Sequence, residues 1–111
     1  MHALDVLGDP ARRRILELLA DGEQAAGDIV RVLERERGIS QPAVSQHLKV
    51  LRDEGFANVR VDGQRRIYAL DSEPLRNVDA WLSRFRRFWQ VRLEALDVEV
   101  RRGKRQRAKR R

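Results

Sequence analysis

The 111-residue sequence has no cysteine, which removes disulfides, thiolate metal sites and cysteine nucleophiles together and suits a reducing compartment. Histidine is nearly as scarce: only His2 and His47 are present, unpaired, and neither marks a metal site. There is also no phosphate-cradling glycine loop and no carboxylate pair at a catalytic spacing, so neither an enzyme nor a bound cofactor is expected. No apolar run reaches the roughly 18 residues of a membrane span. The start, Met1-His2-Ala3-Leu4-Asp5, lacks the basic-then-apolar order of a secretory signal. The expected location is the cytoplasm, without membrane contact.

What is abundant is positive charge, with a formal net of +7, but its distribution matters more than its sum. Residues 101–111, RRGKRQRAKRR, hold eight of the 24 basic side chains and no acid, which leaves 16 basic against 17 acidic residues before them. The body of the chain is thus near neutral, and a nucleic-acid partner has to be argued from local pattern. The expected organisation is one domain over 1–100, followed by a basic tail over 101–111.

Asp9-Pro10 reads as an N-cap and first helical position. Ile15, Leu18 and Leu19 then recur at helical spacing up to the stop Asp21-Gly22. A second amphipathic stretch, about 25–37, places Ile29, Val30 and Leu33 on one side, ends at Gly38, and carries the run Glu34-Arg35-Glu36-Arg37 as a solvated end. Ser40 offers the next N-cap, and a helix can run to Glu54 before Gly55. Segments 57–61 and 64–70 read as strands around Asp62-Gly63, a type I′ hairpin signature, with Ile67 and Ala69 alternating against Arg66, Tyr68 and Leu70. From about Glu73 to Val100 one continuous helix is expected, because Leu75, Val78, Leu82, Phe85, Trp89, Leu93, Leu96 and Val100 fall three or four apart. At about 40 Å such a helix outruns a domain of this size, so part of its apolar face should meet a second chain.

Two helices joined by a tight turn and followed by a hairpin make a winged helix-turn-helix. The fold class is therefore mainly α with a β-hairpin wing, in the order α-α-α-α-β-β-α. With Val44 at zero and a 100° step per residue, Val44, Leu48 and Leu51 share an apolar arc, and Pro42, Ser45, Gln46 and Lys49 lie opposite. That outer face suits a DNA major groove. Gln46 can bond adenine, Ser45 a base edge or phosphate, and Lys49 guanine or phosphate. Ser40 and Gln41, at the positive end of the helix, suit phosphate. On the wing, Arg60, Gln64, Arg65 and Arg66 suit flanking phosphates or the minor groove.

The segments LGDPARRRILELL, SQPAVSQHLKVLRDEG and VDGQRRIYALD, in this order, resemble the ArsR-type (arsenic repressor) family of winged-helix regulators over about residues 3–98. The resemblance implies a homodimer built from the first and last helices, through Leu4, Leu75, Val78, Leu82, Phe85, Trp89, Leu93 and Leu96. It further implies repression at an inverted-repeat operator of double-stranded DNA, relieved by an effector such as a small molecule. The family's metal sites do not carry over. The cysteine pair expected around Ile29–Leu33 is absent, and the long helix offers Asp79, Glu94, Asp97 and Glu99 but no histidine. The helix before the turn also runs about one turn longer than usual, through Glu34 to Arg37.

Two other function classes fit parts of the pattern. An architectural DNA binder would draw its affinity from the basic tail; a winged-helix protein-interaction module would use no nucleic acid, against which stand the basic wing and the acid-free helix front. The aromatics Trp81, Phe85, Phe88 and Trp89 suit a core stripe, or an apolar ligand pocket between two chains.

Overall fold

The computed structural model describes residues 2–109, excluding the side chains of 91–94, 102 and 104–109. Helices α1 (Ala3–Leu7), α2 (Pro10–Ala20), α3 (Ala26–Arg37) and α4 (Gln41–Asp53) precede strands β2 (Ala57–Asp62) and β3 (Arg65–Leu70). A two-residue strand β1 (Gln24–Ala25) lies between α2 and α3, and α5 (Glu73–Ser83) and α6 (Arg86–Lys109) close the chain. Contacts divide it into a compact unit ending at Val78 and a second beginning at Asp79.

The helix ends follow the capping chemistry in the sequence. The Asp9 carboxylate accepts from the amides of Ala11 (2.8 Å) and Arg12 (3.3 Å). Burial pushes that carboxyl upward, but these two bonds, with the nearby His47 imidazole and Arg12 guanidinium, hold it below its ordinary value. Arg12 and Arg13 turn back to donate to the last carbonyls of α1, those of Asp5, Val6 and Leu7, at 2.7–3.0 Å. Gly38 ends α3 at φ 65°, and Gly55 follows α4 at φ 80° while the Phe56 amide reaches back to the Leu51 carbonyl at 2.8 Å.

The core of the first unit is Val6, Ile15, Leu16, Leu19, Ile29, Leu33, Val44, Leu48, Leu51, Phe56, Ala57 and Tyr68. Leu18 is only half-buried, and Leu16 takes an inward place beside Ile15 and Leu19. Phe56, fully enclosed, and Tyr68 were not singled out by periodicity, since one sits in a turn and the other on a strand position expected to face outward.

Three expectations are corrected. The sheet has three strands in the order β1-β3-β2, so the order of elements gains a strand before α3. In it Gln24 pairs with Tyr68, Ala25 with Ile67, and Arg60 with Ile67 from the other side. β3 is therefore central, and Ile67 and Tyr68 are both buried although they point to opposite faces, which breaks the expected alternation. Second, Asp62 pairs with Arg65, so the hairpin turn is Gly63-Gln64. Only Gly63 has a positive φ (63°), which fits a II′ turn with glycine first and excludes the I′ turn expected at Asp62-Gly63.

Third, the last helix is not continuous but breaks at Arg84-Phe85. There the amides of Arg84, Phe85 and Phe88 bond carbonyls three residues back, and the Ser83 hydroxyl donates to the Ala80 carbonyl at 2.6 Å. A serine hydroxyl competing for a helix carbonyl, together with the tightened turn, interrupts the α-helical ladder. α6 then carries helical backbone through the basic segment to Lys109.

Candidate nucleic-acid interface

α4 presents the face that the helical arc predicts. The Ser40 hydroxyl caps it by accepting from the Ala43 amide at 3.4 Å, and Val44, Leu48 and Leu51 are at most 2% exposed. Ser40, Gln41, Pro42, Ser45, Gln46 and Lys49 all lie open to solvent on the described chain. His47 is half-buried at the edge of the arc, in a depression it shares with Asp9, Pro10, Arg37 and Ile39.

The long helix before the turn has a structural anchor. Arg14 on α2 donates from Nε and a terminal nitrogen to the two oxygens of Glu36 on the last turn of α3, both at 2.9 Å. The Glu34–Arg37 run is thus more than a solvated end: Glu36 is tied to α2, and this bond holds its carboxyl below the ordinary glutamate range.

On the wing, Arg60, Gln64, Arg65 and Arg66 are exposed but not equivalent. Arg60 is held by Glu23 at 2.8 Å, which raises its guanidinium pKa, and lies 4.0 Å from Asp62. Arg65 stands 3.7 Å from Asp28. Arg66 has no ion pair among the described residues. It lines a cleft of about 470 Å³ between wing and α4, with Ser45, Gln46, Lys49 and Arg52. That lining carries three cations and no acid, with Arg52 also paired to the neighbouring Asp53 at 3.4 Å.

Arg52 belongs to this cleft and was missed. On the helical wheel it falls at about 80° from Val44, close to Ser45 at about 100°, so the signal was available. Arg31, which pairs with Asp28 near Arg65, was missed for a different reason: only the fold brings α3 against the wing.

Among the described residues, no group of three or more His, Cys, Asp or Glu side chains is placed to hold a metal, and no helix is long and apolar enough to cross a membrane. Leu4 on α1 is exposed. Leu75 packs against the core of the first unit, and Val78 is half-buried. In the second unit Trp81, Leu82, Phe85, Phe88, Trp89 and Leu96 are 38–60% exposed, so the aromatic stripe is not core within a single chain. Trp81 and Phe85 meet edge to face at 5.0 Å, and Arg87 lies over the Phe88 ring at 5.0 Å. The Leu93 side chain lies outside the described residues.

Residues 9–59, from the cap of α2 into β2, match the model of bacterial regulatory proteins of the arsR family. The chain is 43% identical over 84 residues to the HTH-type transcriptional regulator Rv2034 of Mycobacterium tuberculosis, covering 76% of this chain and 75% of that protein. It belongs to the ArsR family. A second family relative is the transcriptional repressor SdpR of Bacillus subtilis, 34% identical, with 76% of this chain and 89% of that protein covered. Among solved structures, the homodimeric winged helix-turn-helix DNA-binding domain Mb0332 of Mycobacterium bovis superposes with a TM-score of 0.58 at 27% identity, over 73% of this chain and 71% of that one. This ArsR-family chain is accordingly a winged-helix transcriptional regulator: α3 and α4 form the helix-turn-helix, and β2 and β3 the wing.

Proposed function

We propose that the chain is a homodimeric repressor that places α4 of each subunit in the major groove of an inverted-repeat operator. The carrying observation is the open row Ser45, Gln46 and Lys49 beside the acid-free cleft of Arg52 and Arg66. Gln46 reads adenine, Ser45 and Lys49 contact a base edge or phosphate, and Ser40, Gln41 and Pro42 bring the helix N-terminus to the backbone. Arg66, Arg65, Gln64 and Arg60 straddle the flanking phosphates. The names of SdpR as a repressor and of Mb0332 as a homodimer support the sign of regulation and the assembly.

The dimer contact uses Leu4, Val78, Leu82, Phe85, Trp89, Leu93 and Leu96, with Leu75 contributing less because it leans on its own core. The protein acts in the cytoplasm by binding rather than by catalysis. An effector, a small molecule in the simplest case, releases the DNA. Residues 1–100 hold reading and dimerisation, and the basic segment from Arg101 adds salt-sensitive attraction without sequence preference.

Selection of duplexes from a random pool, followed by footprinting, should return an inverted repeat with half-sites about one helical turn apart. Gln46→Ala should then weaken operator binding by about 1–3 kcal/mol and leave random-duplex binding nearly unchanged. Equal losses on both duplexes would overturn the reading.

A further inference from the structure

The Asp28 carboxylate, in the first turn of α3, uses one oxygen for Arg31 and the other for Arg65 of the wing, the latter at 3.7 Å. Around this point lies a depression of about 400 Å³ floored by Ala25, Ala26 and Gly27 and walled by Arg31, Gln64, Arg65 and Arg66. Two guanidiniums, those of Arg31 and Arg65, therefore meet a single carboxylate at this depression, with Gln64 and Arg66 also along its lining. The participating side chains are 43–73% exposed, and ion pairs this open to water contribute little to folding. Stability is a weak reason for the cluster. An anion whose oxygens are spread as those of a carboxylate, but which carries more acceptors, matches it better, and arginine forks suit such a group.

We propose that this depression seats a backbone phosphate of the DNA and that Asp28 stands in for that phosphate in the free protein. The inference rests on the reading that α4 and the wing face DNA, and it adds Arg31 and Asp28 to that surface. When DNA docks, the phosphate takes over Arg31 and Arg65, and the displaced carboxylate is left close to a polyanion. Asp28 thereby holds DNA affinity down. Since the contact is to backbone, it does so on every sequence alike.

The test titrates wild-type protein, Asp28→Asn, Arg31→Ala/Arg65→Ala and the triple variant onto the selected operator and a random duplex at several salt concentrations. Asp28→Asn should tighten both duplexes by roughly threefold to tenfold and steepen the salt dependence by about one phosphate contact. That gain should vanish in the Arg31→Ala/Arg65→Ala background. Circular dichroism confirms folding, and Asp28→Ser serves as a second variant if Asp28→Asn is unfolded. Unchanged or weaker binding by the folded variant overturns the proposal. So does an equal gain without the two arginines, which would trace the effect to net charge. A wild-type chain that prefers its operator while Asp28→Asn stays neutral defeats the phosphate seat alone; a wild-type chain that binds no duplex defeats the DNA reading as well.

Discussion

Arg14 and Glu36 join α2 to the last turn of α3 by two parallel 2.9 Å hydrogen bonds, and Arg14 also reaches Glu17 at 3.4 Å. The carboxyl of Glu36 is held below its ordinary value first by the Arg14 hydrogen bond. A carboxyl lowered in the folded state adds stability above the unfolded pKa and loses it as pH falls through the folded one. Acid unfolding of wild type should therefore be steeper below the ordinary glutamate range than that of Glu36→Gln, read from denaturation midpoints at a series of pH values. Identical pH profiles would show that the contact does not persist in solution.

The two wing arginines Arg60 and Arg66 should behave differently although they are near neighbours in sequence. Arg66 meets DNA without first leaving an acid, whereas Arg60 must part from Glu23. Arg66→Ala is expected to weaken binding to all duplexes and to reduce the salt slope by about 1. Arg60→Ala should cost less, because the broken ion pair offsets part of the gain. Fluorescence anisotropy titrations across salt concentrations settle the order; a larger loss for Arg60→Ala reverses the assignment.

Phe56, 1% exposed, is wedged where α4 hands over to β2. Phe56→Ala should cost about 3–5 kcal/mol in urea unfolding, as other large core truncations do. A cost below about 1 kcal/mol would mean that this corner of the core is loosely packed.

The exposed aromatics of the second unit predict a mass of two chains by light scattering at micromolar concentration. Phe85→Glu/Trp89→Glu should shift it toward one chain, since charge on an apolar contact face is costly to bury. The double variant should keep the helical signal of the unit ending at Val78. A one-chain mass for wild type contradicts the dimer.

Most of the fold was legible because its signals are local. Asp9-Pro10, Ser40, Gly38 and Gly55 mark helix ends through their own hydrogen-bonding and backbone preferences, and the inward arc of Val44, Leu48 and Leu51 follows from helical geometry alone. The same arc leaves Ser45, Gln46 and Lys49 outside, so the candidate reading surface was also written in sequence spacing.

Other features depend on partners distant along the chain. β1 exists only because β3 offers it an edge, and two residues carry no strand pattern by themselves. The break at Arg84-Phe85 turns on a serine hydroxyl choosing a carbonyl, which apolar periodicity does not register. The sequence alone determined where α2, α3 and α4 begin and end and which face of α4 stays polar, because those follow from neighbours within one or two turns. Only the tertiary structure decided which arginines are free and which are held, because Glu23 meets Arg60, and Asp28 meets Arg65, across 37 positions of chain in each case. Electrostatic pairing acts over ångströms of space and takes no account of sequence separation.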